Sequence, residues 1–419
     1  MSFGRIWVGE VELSEQSRDG VVVCGLDGYR RARVLVRLHR QPLGFVNVPV
    51  EAGAVSRGVV WRAARSELHD ALWDHLLGDV LDEHHGLSVS SCPRWAPPPS
   101  RSASVVIATR ERAGLLASCL EGLRKLRYAP LEIVVVDNAP RSGATAQLVE
   151  LLRRADSRIR YVLEATPGMA RAQNRGVREA SGEIVAFTDD DVVVDEWWLN
   201  AIMDGFSRDP RVACVTGIVP TAELESLAQL YFDQRVSWSS SCRRRVYGLV
   251  DHADSSPLYP YLPGIFGTGA NCAFARDFFV RMGGFDERLG PGTRTLGGSD
   301  IDAFVRTLLE GGLLAYEPAA IVWHFHRATM RDLRRQMFAY GAGLTAFATK
   351  HVMDPRTALQ VLARVPRGVT HAAGMWRRGD ARPDLKRSMA GVELYGMLTG
   401  PMRYLLSQRQ DSRRRARIH

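Results

Sequence analysis

Three carboxylates in a row, Asp189, Asp190 and Asp191, follow the apolar run Ile184-Val185-Ala186-Phe187. Carboxylates this close repel one another unless a cation or water separates them. Hard divalent ions such as Mg²⁺ and Mn²⁺ prefer oxygen ligands and share them with phosphates. The run is therefore a candidate site for a divalent metal and a diphosphate, although Asp is also common in plain turns and helix caps. Other residues of suitable chemistry end apolar runs elsewhere. Ala108, Thr109, Arg110 and Arg112 close Val105-Val106-Ile107, and Asp137 closes Val134-Val135-Val136. Arg can pair with phosphate, and a carboxylate can accept from a base N–H or a ribose hydroxyl. Asp300 and Asp302 follow Gly297-Gly298, where a helix start would hold a carboxylate able to accept a proton. His324 and His326 are two residues apart at the end of a strand-like run, on one face.

The surrounding pattern says how these groups meet. Apolar runs at 103–108, 131–136, 159–162 and 184–187 alternate with helical spacing at 115–126, 146–154 and 170–180. Strands alternating with helices predict a parallel, helix-covered sheet. The carboxyl ends of such strands lie on one edge, where open α/β sheets hold ligands. Asp195 is expected to cap a helix beginning at Glu196, and the strand ending at His324 is expected at a sheet edge. Residues 1–98 read as a β-rich accessory domain with a helix over 66–81, closed by the stiff linker Cys92 to Ser100. His84 and His85 read as a polar helix end. Residues 220–263 lose the pattern and read as an acceptor-side segment. Residues 346–419 read as a helical, basic extension.

The ordered motifs resemble the family 2 glycosyltransferases: Ser104-Val-Val-Ile-Ala-Thr-Arg-Glu-Arg112, Glu132-Ile-Val-Val-Val-Asp-Asn138, Gly168 to Gly176, Phe187-Thr-Asp-Asp-Asp191, Gly267 to Asn271, Gly283 to Glu287 and Gly298 to Asp302. The resemblance covers residues 102–345. It implies a GT-A fold over 99–345, α/β with a mostly parallel Rossmann-like sheet. It further implies a nucleotide-diphospho-sugar donor, a glycan, lipid-linked or small-molecule acceptor, and inverting transfer assisted by Mn²⁺ or Mg²⁺. Carried over residue by residue, Ala108, Thr109, Arg110, Arg112, Asp137, Asn174, Asp189 and Asp190 hold the donor. Asp191 and His324 hold the metal, with His326 the runner-up to His324, and Asp300 is the general base. Ser299 stands where the family usually has Glu, and reads as the cap of the following helix.

Composition narrows the alternatives. The 419 residues carry a net charge of +9, and only Lys125, Lys350 and Lys386 among the basic residues are lysines. Arg richness fits an anionic partner. No aromatic-basic platform or zinc module points to nucleic acid. A nucleotidyltransferase would need a Gly-rich basic loop after the first strand, which Ala108 to Arg112 lacks. A nucleotide-sugar binder without transfer remains a second reading. Six scattered cysteines predict a reducing, cytoplasmic setting. The basic carboxyl-terminal end predicts contact with an anionic membrane surface or packing on the catalytic domain.

Overall fold

The computed structural model describes residues 4–14, 20–81, 101–236, 239–377 and 383–418. The linker and His84-His85 lie outside the described residues. The first unit contains β1 (Ile6–Glu12), β2 (Val21–Val23), β3 (Arg31–Leu38), β4 (Gln41–Pro49) and β5 (Val55–Ser56), then α1 (Arg57–Glu67) and α2 (His69–Leu81). Two helices thus replace the single one expected over 66–81; the first starts at Ser56, whose hydroxyl caps Val59. Apolar faces of β3, β4 and α1 close a small core around Val34, Val36, Val46 and Val60.

The second unit follows with β6 (Ala103–Thr109), α3 (Ala113–Arg124), β7 (Leu131–Asn138), α4 (Ala144–Ala155), β8 (Ile159–Glu164), α5 (Met169–Glu179), β9 (Ile184–Thr188) and β10 (Val192–Val194). Next come α6 (Trp198–Phe206), β11 (Val212–Ile218), α7 (Leu227–Arg235), β12 (Arg245–Tyr247), β13 (Asn271–Ala275), α8 (Arg276–Arg281), α9 (Ser299–Leu309) and β14 (Leu313–His324). Three long helices end the chain: α10 (Met330–Met353), α11 (Ala358–Arg377) and α12 (Pro383–Ile418).

The main sheet runs β10-β14-β11-β13-β9-β6-β7-β8, with β12 also on β14. Strands β9, β6, β7 and β8 are parallel, as near-continuous Val and Ile runs require when both sheet faces are covered. Strand β13 inserts antiparallel between β9 and β11. Strand β14 is no edge: β10 and β12 pair along its outer side. The buried amide of Asn271 ties this half together. It donates to the carbonyls of Ile218 and Ala320 and accepts the Trp198 indole N–H. A buried amide with all these partners fixes a unique strand arrangement.

Candidate functional site

The registers deliver the strand ends to one place. Thr109 pairs with Asp137 across β6 and β7, and Ile107 pairs with Thr188 across β6 and β9. The chain beyond Thr188 therefore passes Thr109 as it turns into β10. The aspartates sit between two strands, not between a strand and a helix. Asp195 is not the cap of α6, which has Trp197 there with no side-chain cap bond; β10 intervenes first.

Alternation along the extended turn separates the three carboxylates. Asp190 faces the β6 end, where Thr109 Oγ1 donates to its Oδ2 at 2.7 Å and Arg112 Nη1 to its Oδ1 at 2.5 Å. Its oxygens are engaged by the protein, so Asp190 orders Thr109 and Arg112. Burial pushes its carboxyl up to about 6, against the pull of Arg112 and Thr109.

Asp189 and Asp191 face the other way, toward His324. The pairing of Val192 with His324 brings the imidazole there, and Phe325 N donates to Asp191 O at 3.0 Å. His324 Nε2 lies 3.3 Å from Asp191 Oδ1 and 3.8 Å from Asp189 Oδ2. Ligand atoms of Asp189, Asp191 and His324 all fall within 4.8 Å of one another. Burial lowers the His324 imidazole, but the two carboxylates outweigh it and lift it to about 9. Asp191 is held low despite its burial by His324 and Arg112. The buried Asp189 Oδ1 and His324 Nδ1 have no hydrogen-bond partner. Two carboxylates and an imidazole, converging with an unsatisfied carboxylate oxygen, suit a divalent cation. Arg112 also reaches Asp191, and Arg327 Nη2 lies 3.6 Å from it. The cluster is thus flanked by guanidinium groups able to meet a diphosphate.

Asp137 is fully buried, with Tyr161 OH donating to Oδ2 at 3.1 Å and Oδ1 unpartnered. Burial raises its carboxyl and Tyr161 offsets part of that rise. An acceptor with a lone pair left open at the strand end is suited to a base or ribose donor. Ala108 and Arg110 flank Thr109, both half-buried.

At the start of α9, Gly298 (φ 90°) is the cap, so the expected cap at Ser299 is replaced by a residue free to adopt that backbone. Asp300 follows. Its Oδ2 accepts Gly269 N at 3.1 Å and its Oδ1 accepts Ile301 N at 2.9 Å. Burial raises its carboxyl, as does the charge of Asp189, while the backbone donors counter. Asp302 has a different task. It is fully buried and paired with Lys350 at 2.6 Å, Arg306 at 2.8 Å and His351 at 3.2 Å, which hold it ionised against its burial. The two carboxylates of the motif are therefore distinguishable: Asp300 accepts from the Gly269 backbone just before β13, and Asp302 anchors α9 to α10.

The amide of Asn174 is engaged by the protein itself. It donates to Phe285 O at 2.9 Å and accepts Phe285 N at 2.9 Å, holding the turn after Gly283-Gly284. Asn174 lines a polar cavity with Asp286, Arg306, Lys350 and Asp411, away from the aspartates' partners. His326 is not among the converging ligand groups. Its ring stacks on His324 at 4.8 Å and lies tilted against Phe232 at 4.5 Å, both nitrogens lack partners, and burial pushes it down to about 3.

The sequence gives no signal for the support supplied by the first unit. Arg37 Nη1 pairs with Asp195 at 2.7 Å, both side chains buried, one residue beyond β10. The Arg40 guanidinium lies 3.2 Å from the Trp197 ring centroid. Arg33 pairs with Asp233 of α7, the helix whose Phe232 packs on His326. The first unit thus grips both elements behind the cluster.

Residues 104–249 match the model of Glycosyl transferase family 2. A pre-mycofactocin glycosyltransferase of Mycobacterium tuberculosis is 30% identical over 264 residues, covering 61% of this chain and 49% of the relative. A glucosyl-dolichyl phosphate glucuronosyltransferase of Haloferax volcanii is 24% identical over 190 residues, 45% of this chain and 56% of the relative. The chain therefore spans about half the length of these curated relatives. Among solved structures, a mannosyltransferase from Pyrobaculum calidifontis, in complex with GDP-Man and Mn²⁺, superposes with a TM-score of 0.50 at 19% identity. The match covers 80% of this chain and 96% of that one. The fold is of the GT-A type.

Proposed function

We propose, from the premise that residues 104–249 form a family 2 glycosyltransferase domain, that this chain transfers a sugar from a nucleotide-diphospho-sugar to an acceptor hydroxyl with inversion. The observation that carries the reading is the two-sided arrangement of the aspartate run. Asp189 and Asp191 converge on His324 while Asp190 is tied to Thr109 and Arg112.

Asp137 and Tyr161 receive the nucleoside. Asp189, Asp191 and His324 hold Mn²⁺ or Mg²⁺, which when bound neutralises the diphosphate as it leaves. Arg112 and Arg327 add positive charge on the same side. Asp300 takes the proton from the acceptor hydroxyl. The acceptor oxygen then forms its bond to the anomeric carbon as the carbon–oxygen bond to the diphosphate breaks, which inverts the centre. A raised carboxyl suits that role, since a stronger base accepts the proton more readily. The GDP-Man and Mn²⁺ of the structural neighbour fit the same donor and metal class. The acceptor is a glycan, a lipid-linked sugar or a small molecule. Incubation with a panel of UDP- and GDP-sugars, with Mn²⁺ or with EDTA, tests the reading. Release of nucleoside diphosphate in Mn²⁺ alone supports it. Donor binding without release favours a non-transferring binder.

A further inference from the structure

The last helix is bound on one side only. Helices α10 and α12 run side by side in the same direction: Met337 meets Met389, Thr345 Oγ1 donates to Met397 O at 2.8 Å, and Ala346 meets Tyr404. Glycines let the backbones approach. A Cβ on Gly396 would overlap the Phe338 carbonyl, and one on Gly400 would overlap Thr345. This contact fixes the rotation of α12, and with it the face turned outward.

That outward face is apolar. Leu394, Tyr395, Leu398, Met402, Leu405 and Leu406 recur at three- and four-residue steps, and Tyr395, Leu398 and Met402 are 64%, 73% and 62% exposed. At 1.5 Å per residue the stripe is about 18 Å long. A contiguous patch of this kind marks an interaction surface, unlike scattered single exposed residues. The charges on the helix are sorted. Glu393 pairs with Arg235 and Asp411 with Arg171, so both carboxylates are held by ion pairs to the body. Arg387 and Arg409 are exposed at either end of the stripe. Among the described side chains of the helix, the outward face carries apolar groups and positive charge but no carboxylate.

We propose that this face of α12 lies in the plane of an anionic membrane surface. The apolar stripe enters the headgroup boundary and Arg387 and Arg409 meet lipid phosphates, as in-plane amphipathic helices do. A second copy fits less well, because pairing the stripe with itself brings Arg387 and Arg409 together, with no carboxylate on that face among the described side chains. No helix among the described residues is long and apolar enough to cross a membrane, so the attachment is in-plane. The opposite side of α10 touches the turn before Asp300, where Gly343 packs against Gly297 and Gly298. The bilayer would thus be separated from α9 by two helices, α12 and α10. The proposal does not depend on the glycosyltransferase reading.

Flotation of the full chain with phosphatidylcholine vesicles, with and without phosphatidylglycerol, tests it. Binding is expected only with phosphatidylglycerol, and it should weaken as salt rises because surface attraction is screened. The double variant Leu398→Gln, Met402→Gln should lose about tenfold or more in vesicle affinity with an unchanged melting temperature, since both side chains already face water. Arg387→Glu with Arg409→Glu should abolish the salt-sensitive part. Failure of the wild type to float at low salt would overturn the proposal. So would a wild-type dimer that the Leu398, Met402 variant converts to monomer, because the stripe would then be a self-interface.

Discussion

Replacing Asp300 by Asn removes a charge while keeping the shape, and the structure sets what else changes. The carboxylate accepts two backbone bonds, from Gly269 N and Ile301 N. An amide keeps one acceptor and turns an N–H₂ toward the other donor. Loss of that bond costs about 1–2 kcal/mol, which lowers the melting temperature by roughly 2–8 °C for a unit of this size. Loss of the base lowers turnover by roughly 10²-fold or more. Donor affinity should stay within about twofold, because Asp137, Asp189 and Asp191 are untouched. The assay is release of nucleoside diphosphate from whichever UDP- or GDP-sugar the wild type accepts, alongside calorimetric binding of that donor and a melting curve. Asp302→Asn is the contrast. It breaks a buried cluster with Lys350, Arg306 and His351, at about 3–5 kcal/mol, so its activity loss should follow its loss of fold. Full turnover in a folded Asp300→Asn variant would refute the assignment of the base.

Other outcomes follow from the same contacts. His324→Ala should lose Mn²⁺ binding measured by electron paramagnetic resonance, whereas His326→Phe should keep it and fold at least as stably, because the buried His326 ring has unpartnered nitrogens. Arg37→Gln leaves the buried Asp195 carboxylate unpaired and should destabilise the fold by about 3 kcal/mol or more, read by urea denaturation; a truncation beginning near residue 99 should likewise show weakened Mn²⁺ binding. Burial would raise the Glu132 carboxyl, but bonds from Ser104, Ser181 and Arg160 bring it down to about 2. Its stabilising effect is therefore full above the unfolded value near 4.3 and fades toward pH 2. Glu132→Gln should flatten acid denaturation over that window.

The parts legible in the sequence are those with local signals. Apolar runs such as Ile133-Val-Val-Val136, each followed by helical spacing, declare the parallel half of the sheet. The strand-end polar groups then converge by topology. The antiparallel half is harder to read, because β13 and β14 lie in stretches whose order depends on pairing partners far along the chain. In sequence the turn after Asp191 points to a helix, because Val192-Val-Val194 is too short to declare itself as β10. The division of labour among three identical residues is also invisible in composition; only the alternation of the backbone, with Thr109 on one side and His324 on the other, separates Asp190 from its neighbours. Asn174 looks like a donor contact from its motif, yet the Phe285 backbone claims its amide. The grip of the first unit depends on pairs such as Arg37 with Asp195 and Arg33 with Asp233. Isolated charges in sequence do not announce partners brought together only by folding.

Asp189, Asp191 and His324 are the groups that would hold a divalent cation for the donor diphosphate. Titration calorimetry of UDP and of GDP into the full chain, in Mn²⁺ and then in EDTA, with Asp191→Ala in parallel, tests that assignment most directly. The expected result is saturable binding of at least one nucleotide in Mn²⁺, weakened about tenfold or more both by EDTA and by Asp191→Ala. Equal affinity in Mn²⁺ and EDTA, with Asp191→Ala indistinguishable from wild type, would contradict it.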